Sequence, residues 1–383
     1  MAAGADVVIV GGGVIGLSVA WHLASAGTGA SVLVLERERV GEGRGQASWA
    51  AAGMLAPLAE AKLPGPFVAL GLESLRRYPA FVAALREASG VDAHLHGPGM
   101  LRVATNETQE DALCAAFTWQ RAAGLSVERL TGDDARRLEP ALTPNVRAAI
   151  LSPDEKHVAP RRLLRALAGA CARRGVRIVE NTAAVGVETS AGGAQVNAVR
   201  TARGDTFAAG VLVVAGGAWT AAMGDWLRAR LPVFPVRGQI LALGPLAPPL
   251  PVRHTIYAHG GYLVPRADGR LIVGATEEPE AGFDTTTTPE GEARLRALAP
   301  ALVPALGGAL LDSVWAGLRP ATPDGLPLLG PLPGWGNVHV AAGHFRNGIL
   351  LAPVTGEIVV HGLLRAEPHP QLGPFRADRV LAR

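Results

Sequence analysis

The chain has 383 residues and a formal net charge of +3 at pH 7, and 49% of its residues are hydrophobic. This length and composition favour a globular α/β protein of two intertwined domains. Basic residues are scattered among acidic ones, so nucleic-acid binding is not indicated. No stretch approaches the ~18 uninterrupted apolar residues of a membrane span, and no signal peptide is visible. We therefore expect a cytoplasmic protein without an integral membrane segment.

The first 36 residues predict a βαβ unit that binds a dinucleotide. Two apolar runs, at 7–10 and 32–35, flank a glycine cluster and a segment of helical period that ends at Gly27. Glu36 follows the second run, where its carboxylate can accept hydrogen bonds from both hydroxyls of an adenosine ribose. The unit alone leaves NAD and FAD both open. The alternative is a tight turn between strand and helix that binds no ligand.

Three glycines of this cluster have separate expected roles. Gly11 permits the tight turn off the first strand, Gly13 lets the backbone approach a pyrophosphate, and Gly16 lets the helix lie close to the strand. The phosphates would then face the helix N-terminus, whose free N–H groups and dipole favour negative charge.

Small residues dominate 46–54, after a glycine-rich loop at 41–45. Backbone that runs against a flat ring system has to lack Cβ bulk, and alanine, serine and glycine meet that need. Ser48 keeps a hydroxyl for phosphate. The alternative is the start of an alanine-rich helix. A second junction of strand and glycines at 211–217, which contains Gly216, would bring backbone towards the same ligand.

The periods of the remaining chain predict a parallel sheet with an inserted β-meander, followed by an antiparallel sheet that forms the floor of a substrate domain. The predicted helices are 66–88, kinked or split at Pro79, and 107–123, 131–140, 160–174, 289–298 and 349–364. The predicted strands are 99–103, 176–179, 183–189, 195–201, 211–214, 235–241, 254–258, 261–265, 271–275, 310–316 and 338–342.

Several stretches together carry a family resemblance: 7–16, 48–54, 235–241, 262–266 with 274–276, 315–320 and 343–353. With them the chain resembles the D-amino-acid-oxidase-like flavoproteins, and within that family the glycine-oxidising branch of the thiamine pathway. The resemblance implies non-covalently bound FAD. It also implies an α/β fold in which an FAD-binding, Rossmann-like βαβ domain (1–60, 150–230 and 318–383) carries an inserted, largely antiparallel β substrate domain (61–149 and 231–317).

The resemblance implies cofactor contacts at residues that lie in or near the glycine turns and the last helix start. Beside Gly11, Gly13, Gly16 and Gly216, these are Val14, Ile15, Glu36, Arg37, Ala47, Ser48, Ala52, Gly53, Met54, Ala184, His344, Phe345, Arg346, Asn347, Gly348, Ile349 and Leu350.

The same resemblance implies substrate contacts at Arg319, Arg346, Tyr262 and Met54, and it assigns no catalytic acid or base. Two departures concern the pocket. Glu277 stands where a methionine can occur in the family, and Gly260 stands where a histidine can occur. Both leave the detailed shape of the pocket open.

The chemistry of an amino-acid substrate fits these residues independently. Arginine's planar fork binds a carboxylate bidentately, and Arg319 is expected in a loop just past a strand. The alternative is a surface arginine paired with Asp324. Tyr262 could donate its hydroxyl to the same carboxylate, or it could merely pack on its sheet. Asn347 and Gly348 begin a helix whose dipole would face the C2 carbonyl of the flavin.

The implied reaction is oxidation of glycine or a small amine, such as sarcosine or D-alanine, with hydride transfer to flavin N5 and re-oxidation by O2. The products would be glyoxylate, ammonia and H2O2, or the imine would pass to thiazole synthase. His344 is more simply a hydrogen-bonded loop histidine than a base. The preferred amine, the electron acceptor and homo-oligomer formation stay open.

Two alternatives share the fold: a D-amino-acid dehydrogenase, and a sarcosine-oxidase-like enzyme. The latter attaches its flavin covalently through a cysteine in the C-terminal part. Both cysteines of this chain, Cys114 and Cys171, precede residue 172, and we interpret them as buried free thiols. A non-catalytic flavin-binding scaffold is an alternative of another class, and it would be expected to lack the substrate-binding arginine.

Overall fold

The computed structural model describes residues 2–43, 45–61, 63–247, 250–365 and 367–380. The predicted loop 41–45 therefore includes one residue, Arg44, that lies outside the described residues, and the predicted end of the first domain at 381–383 lies outside them as well.

The predicted strands and helices are present in the predicted order. Strands at Glu128–Thr131, Ala148–Ser152 and Leu328–Pro331, a helix at Thr220–Trp226 and several two-residue strands were not predicted. The strands are β1 (Ala2–Val10), β2 (Val32–Leu35), β3 (Gly45–Gln46), β4 (Met54–Leu55), β5 (Met100–Ala104), β6 (Glu128–Thr131), β7 (Ala148–Ser152), β8 (Lys156–His157), β9 (Arg177–Val179), β10 (Ala184–Thr189), β11 (Val196–Thr201), β12 (Thr206–Val214), β13 (Phe234–Leu243), β14 (Thr255–Ala258), β15 (Gly261–Pro265), β16 (Leu271–Gly274), β17 (Leu311–Ala321), β18 (Leu328–Pro331) and β19 (Val338–Ala342). The α-helices are α1 (Val14–Ser25), α2 (Ala47–Ala50), α3 (Pro66–Ser89), α4 (Glu107–Ala122), α5 (Gly132–Leu138), α6 (Pro160–Arg173), α7 (Thr220–Trp226), α8 (Pro289–Leu302) and α9 (Gly348–Leu364).

Eight of the described strands form a sheet with the path β10-β11-β12-β1-β2-β9, in which β19 pairs with β12 and β18 pairs with β19. The strands β2, β1, β12 and β19 are parallel, and β10 and β11 form the predicted meander. The centre of this sheet is buried on both faces, which explains its continuous apolar runs. The carboxyl ends of the parallel strands meet at one edge, where α/β sheets usually bind ligands.

A layer of helices covers one face of this sheet. Helix α1 packs against α9 and α6, and α3 packs against α9 and α6. The Ser18 hydroxyl donates to the Ala352 carbonyl (2.7 Å), which ties α1 to α9. Helix α3 continues through Pro79 without a break, so a split at this proline is wrong, and a kink there stays a prediction.

The segment Phe345–Leu364, which contains α9, is long and apolar enough by composition to cross a membrane, with a mean hydropathy of 1.4. Most of it is buried inside the protein, where α9 contacts α1, α3 and β18. This burial is the arrangement of a core helix.

Nine of the described strands form a second sheet, in the order β3-β17-β13-β16-β15-β14-β5-β7-β6. It is antiparallel except where β17 pairs with β3 and β14 with β5, which confirms the predicted antiparallel sheet. A hairpin turn joins β15 to β16, with Gly269 at a φ of 83°. Helix α8 packs its apolar face on this sheet.

Strand β17 extends to residue 321 and therefore contains Arg319, which the sequence analysis placed in a loop. Gly317 and Pro320 suggested that the strand had ended. In the structure Pro320 lies opposite Pro235 of β13, beyond the part of β17 that pairs with β3. Proline is tolerated at such an edge position because no partner strand requires its N–H.

The division into two domains stays a prediction. Segment 61–149, which was predicted for the substrate domain, contributes β5, β6 and β7 to the second sheet. Its helix α3, by contrast, packs against α6 and α9 beside the first sheet.

Candidate active site

A cavity of about 380 Å³ lies where the carboxyl edge of the first sheet faces the second sheet. Its lining comes from the ends of β1, β2 and β12, from the segment 46–60, and from 341–349. Residues of β13, β15 and β17 close the opposite side. Small-molecule sites are commonly clefts of this size at such junctions.

The glycines at the start of α1 explain why this turn lies open to a ligand. Gly11 has a φ of 113°, and a Cβ there would lie 2.3 Å from the Ala215 carbonyl oxygen. A Cβ at Gly16 would lie 1.9 Å from the Gly11 carbonyl oxygen, so this glycine lets α1 approach the turn. Gly13 differs, because its backbone suits any residue and the nearest atom to its Cβ position, Ser48 Oγ, is 3.4 Å away.

Glu36 lies at the end of β2 and is 5% exposed. Its Oε2 accepts a hydrogen bond from the Gly12 N–H (2.7 Å), and its Oε1 accepts from the Glu38 N–H and the Gln46 amide. Burial raises the pKa of this carboxyl group, and the backbone hydrogen bonds oppose that effect. The neighbouring Arg37 guanidinium stacks on Trp219, 3.5 Å from the ring centroid.

Much of the cavity wall beyond the start of α1 and the end of β2 consists of residues with little or no side chain. Ser48 Oγ accepts a hydrogen bond from the Val14 N–H (3.1 Å), which joins the segment 46–54 to the start of α1. Gly53 has a φ of 79°, and a Cβ there would lie 2.2 Å from the Val158 carbonyl oxygen. A buried acid, a helix N-terminus and a wall of small residues together fit an elongated dinucleotide such as FAD.

Arg319 projects from β17 at the other end of the cavity. Its Nη1 donates to the Thr276 carbonyl (3.0 Å) and to the Arg237 carbonyl (3.3 Å), and no carboxylate pairs with it among the described residues. Gly238 provides the space, since a Cβ there would lie 2.2 Å from Arg319 Nη1. Burial lowers the pKa of this guanidinium, which still stays charged at neutral pH.

Two other predictions at this end concern Asp324 and Tyr262. Asp324 pairs with Arg379 (2.8 Å) and not with Arg319, so the predicted alternative for Arg319 is wrong. Tyr262 is 5% exposed and lines the cavity, and its hydroxyl has no hydrogen-bond partner in the described part of the chain. Burial raises the pKa of this hydroxyl, so it is present as a donor at neutral pH.

Arg346 lies in the short 3-10 turn Phe345–Asn347 and bridges two carboxylates. Its Nη2 lies 2.7 Å from Glu60 Oε1, and its Nη1 lies 2.8 Å from Glu277 Oε2. Burial raises the pKa of Glu60, although the charges of Arg346 and Arg319 oppose the shift. Glu60 was not among the predicted site residues. It is the lone acid in the apolar stretch 54–61, and that isolation was the available signal.

His344 is buried, and its Nε2 lies 3.0 Å from Thr355 Oγ1 of α9. Burial lowers its pKa to about 3, so the imidazole is neutral at physiological pH. A neutral, hydrogen-bonded ring agrees with a structural histidine. Helix α9 begins at Gly348, as its sequence predicted, and this end opens into the cavity.

The structure brings nearly all the predicted site residues to this one cavity. Gly16 and Leu350 are not part of its wall: Gly16 packs within the turn, and Leu350 is buried against α3, where its carbonyl accepts from Ser74. Residues that the sequence analysis missed also line the cavity: Glu60, Trp219, Met223, Trp226, Gly238 and Ile240. For Trp219 and Trp226, the available signal in the sequence was that aromatic residues follow the glycines at 216–217.

Comparison with known proteins gives consistent matches over nearly the whole chain. Residues 6–361 match the model of the family described as FAD dependent oxidoreductase. The chain is 37% identical to a glycine oxidase from Geobacillus kaustophilus, over 99% of this chain and 98% of that protein. The crystal structure of glycine oxidase from Geobacillus kaustophilus superposes with a TM-score of 0.91 at 37% identity, covering 97% of this chain and 98% of that one.

A further relative is a longer protein that is named as bifunctional. The chain is 37% identical to a protein named bifunctional protein ThiO/ThiG from Synechocystis, over 98% of this chain but only 54% of that protein.

Proposed function

Because the chain belongs to the FAD-dependent oxidoreductase family, we propose that it oxidises glycine and similarly small amines such as sarcosine and D-alanine. The observation that carries this proposal is Arg319, a guanidinium in the cavity wall that no carboxylate neutralises among the described residues. An α-amino acid supplies the missing carboxylate. The proposal is supported by the relatives named glycine oxidase.

FAD, when bound, supplies the acceptor for hydride from the substrate's α-carbon and passes the electrons on to O2. Gly13, Val14 and Ser48 would hold its pyrophosphate, and Glu36 would hold the adenosine ribose. The remaining proposed contacts follow the cavity wall towards the start of α9: Ile15, Arg37, Ala47, Ala52, Gly53, Met54, Ala184, Gly216, His344, Phe345, Asn347, Gly348 and Ile349.

The chain's own residues would act by positioning. Arg319 binds the substrate carboxylate through its planar fork, and the Tyr262 hydroxyl donates a second hydrogen bond to it. Met54 limits the space beyond the α-carbon. No acid or base is assigned, because holding the C–H bond in the reactive orientation accounts for much of the rate.

The products would be glyoxylate, ammonia and H2O2. The relative named as bifunctional supports a role in thiamine synthesis, in which the imine passes directly to a thiazole synthase. We place the protein in the cytoplasm, and homo-oligomer formation is compatible with this role.

The alternatives fit less well. Covalent flavin attachment of the sarcosine type requires a cysteine in the C-terminal part, whereas both cysteines of this chain precede residue 172. Cys171 is buried as predicted, but Cys114 on α4 is only half-buried, so the predicted burial of Cys114 is wrong. A non-catalytic scaffold would not need an unpaired guanidinium in its cavity. A D-amino-acid dehydrogenase differs chiefly in its electron acceptor.

Substrate selectivity tests the proposal. Because Met54 and Tyr262 restrict the pocket, glycine and sarcosine should exceed bulky D-amino acids in kcat/KM. Each methylene changes discrimination by ~1–3 kcal/mol, so D-alanine should remain a weaker substrate. The measurement is O2 consumption across a panel of amines. Glycine oxidation would be the wrong assignment if D-phenylalanine were the best substrate.

A further inference from the structure

The mouth of the cavity carries a network of one guanidinium and two carboxylates. Arg346 uses Nη2 for Glu60 and Nη1 for Glu277, at 2.7 and 2.8 Å. The side chains of Arg346 and Glu60 are 29% and 23% exposed, whereas that of Glu277 is 48% exposed. Glu277 therefore covers the outward arm of Arg346, and Glu60 holds the inward arm.

This network lies directly beside the proposed carboxylate-binding arginine. The Thr276 carbonyl accepts from Arg319 Nη1, and the next residue, Glu277, holds Arg346 Nη1. Consecutive residues thus anchor two guanidiniums that line the same cavity. One of them, Arg319, pairs with no carboxylate among the described residues and can bind an anion. The other, Arg346, for which a substrate contact was predicted, pairs with two carboxylates.

The charges have a consequence for substrates. Because the Glu277 carboxylate pairs with Arg346 Nη1, an anionic group that approaches this arm of Arg346 meets a like charge rather than a free guanidinium. Without the Glu277 carboxylate, the two N–H donors of Arg346 Nη1 become available for a second carboxylate.

We propose that Glu277 is a specificity-determining residue, which makes the enzyme reject amines that carry a second carboxylate by occupying the outward arm of Arg346. The proposal rests on the oxidation of small amino acids proposed above. Arg346 then forms a second anion-binding site, separate from Arg319, and the Glu277 carboxylate occupies this site.

The test compares two substrates of equal size that differ in one charge: iminodiacetate and its monoamide, N-(carbamoylmethyl)glycine. For Glu277→Gln, the ratio of kcat/KM for the diacid to that for the monoamide should rise by about tenfold over the wild type, since like charges that meet in a binding site are strongly disfavoured. Glu280→Gln removes an exposed acid near Glu277 that forms no ion pair with any other described residue, and it should leave the ratio unchanged. An equal gain for both substrates, or no gain, would overturn the proposal.

A binding measurement decides the matter even if Glu277→Gln oxidises neither substrate well. Calorimetry compares the affinities of oxydiacetate, an ether analogue that cannot be oxidised as an amine, and methoxyacetate, which has a single carboxylate. The ratio of the affinity for oxydiacetate to that for methoxyacetate should be about tenfold higher in Glu277→Gln than in the wild type. Added salt should reduce this difference between the two proteins, because Glu277 is half exposed. Unchanged relative affinities would refute the role of Glu277. Failure of the wild type to oxidise glycine would instead refute the proposed function.

Discussion

Replacing Arg319 with alanine should lower kcat/KM for glycine by about thirty- to several-thousand-fold. The substitution leaves the substrate carboxylate without its charged partner in a desolvated site, which costs roughly 2–5 kcal/mol, and each ~1.4 kcal/mol is tenfold. Most of the loss should appear in KM if Arg319 binds the ground state and the transition state alike. Steady-state O2 consumption over a range of glycine concentrations measures both constants.

Three comparisons isolate the role of Arg319. Arg319→Lys should recover only part of the loss, because an ammonium group cannot reproduce the bidentate fork. FAD content should not change. Arg296→Ala removes an exposed arginine on α8 that pairs with Glu292, and it should leave glycine oxidation intact. Unchanged kcat and KM in Arg319→Ala would show that the substrate carboxylate binds elsewhere.

Replacing Gly13 with leucine should give a folded protein that has lost most of its FAD. The backbone of Gly13 suits any residue, and its Cβ position is free of close contacts, so the free protein can accept the side chain. The side chain would instead occupy the space proposed for the pyrophosphate. Overpacking of this kind costs about 1–3 kcal/mol, so the Kd for FAD should rise by about ten- to a hundredfold.

The flavin content of the purified protein and titration of the apoprotein with FAD test this expectation. Gly192→Leu, in the turn between β10 and β11 with open space around it, is the matched control and should bind FAD normally. Acid treatment of the wild type should release free FAD into the supernatant, since the binding is non-covalent. Flavin that stays with the denatured chain, or normal FAD affinity in Gly13→Leu, would contradict the proposed cofactor site.

Local sequence signals were sufficient for the parts of the fold that depend on short-range chemistry. The order of apolar run, glycine turn, helix and acid in 7–36 specifies a βαβ unit, because Gly11 and Gly16 each satisfy a separate steric need. Alternation and turn residues likewise identified the strands β13 to β16. The family resemblance, which the matches over residues 6–361 confirm, resolved the choice between NAD and FAD.

Long-range contacts could not be predicted in the same way. The extension of β17 through Arg319 depends on pairing with β13, which overrides the local signal of Gly317 and Pro320. The network of Glu60, Arg346 and Glu277 joins residues that lie far apart in the chain, and nothing local relates them. Helix α3 passes through Pro79 because its buried face packs against α6 and α9.

The most direct test of the proposed oxidase activity is the stoichiometry of glycine oxidation by the purified, yellow protein in air-saturated buffer. Oxygen uptake, H2O2, glyoxylate and ammonia are measured together in the same reaction. We expect equal amounts of all four, and no activity once the flavin has been removed. Glycine oxidation that proceeds only with a quinone acceptor and without peroxide, or no oxidation of any small amine, would contradict the proposed oxidase.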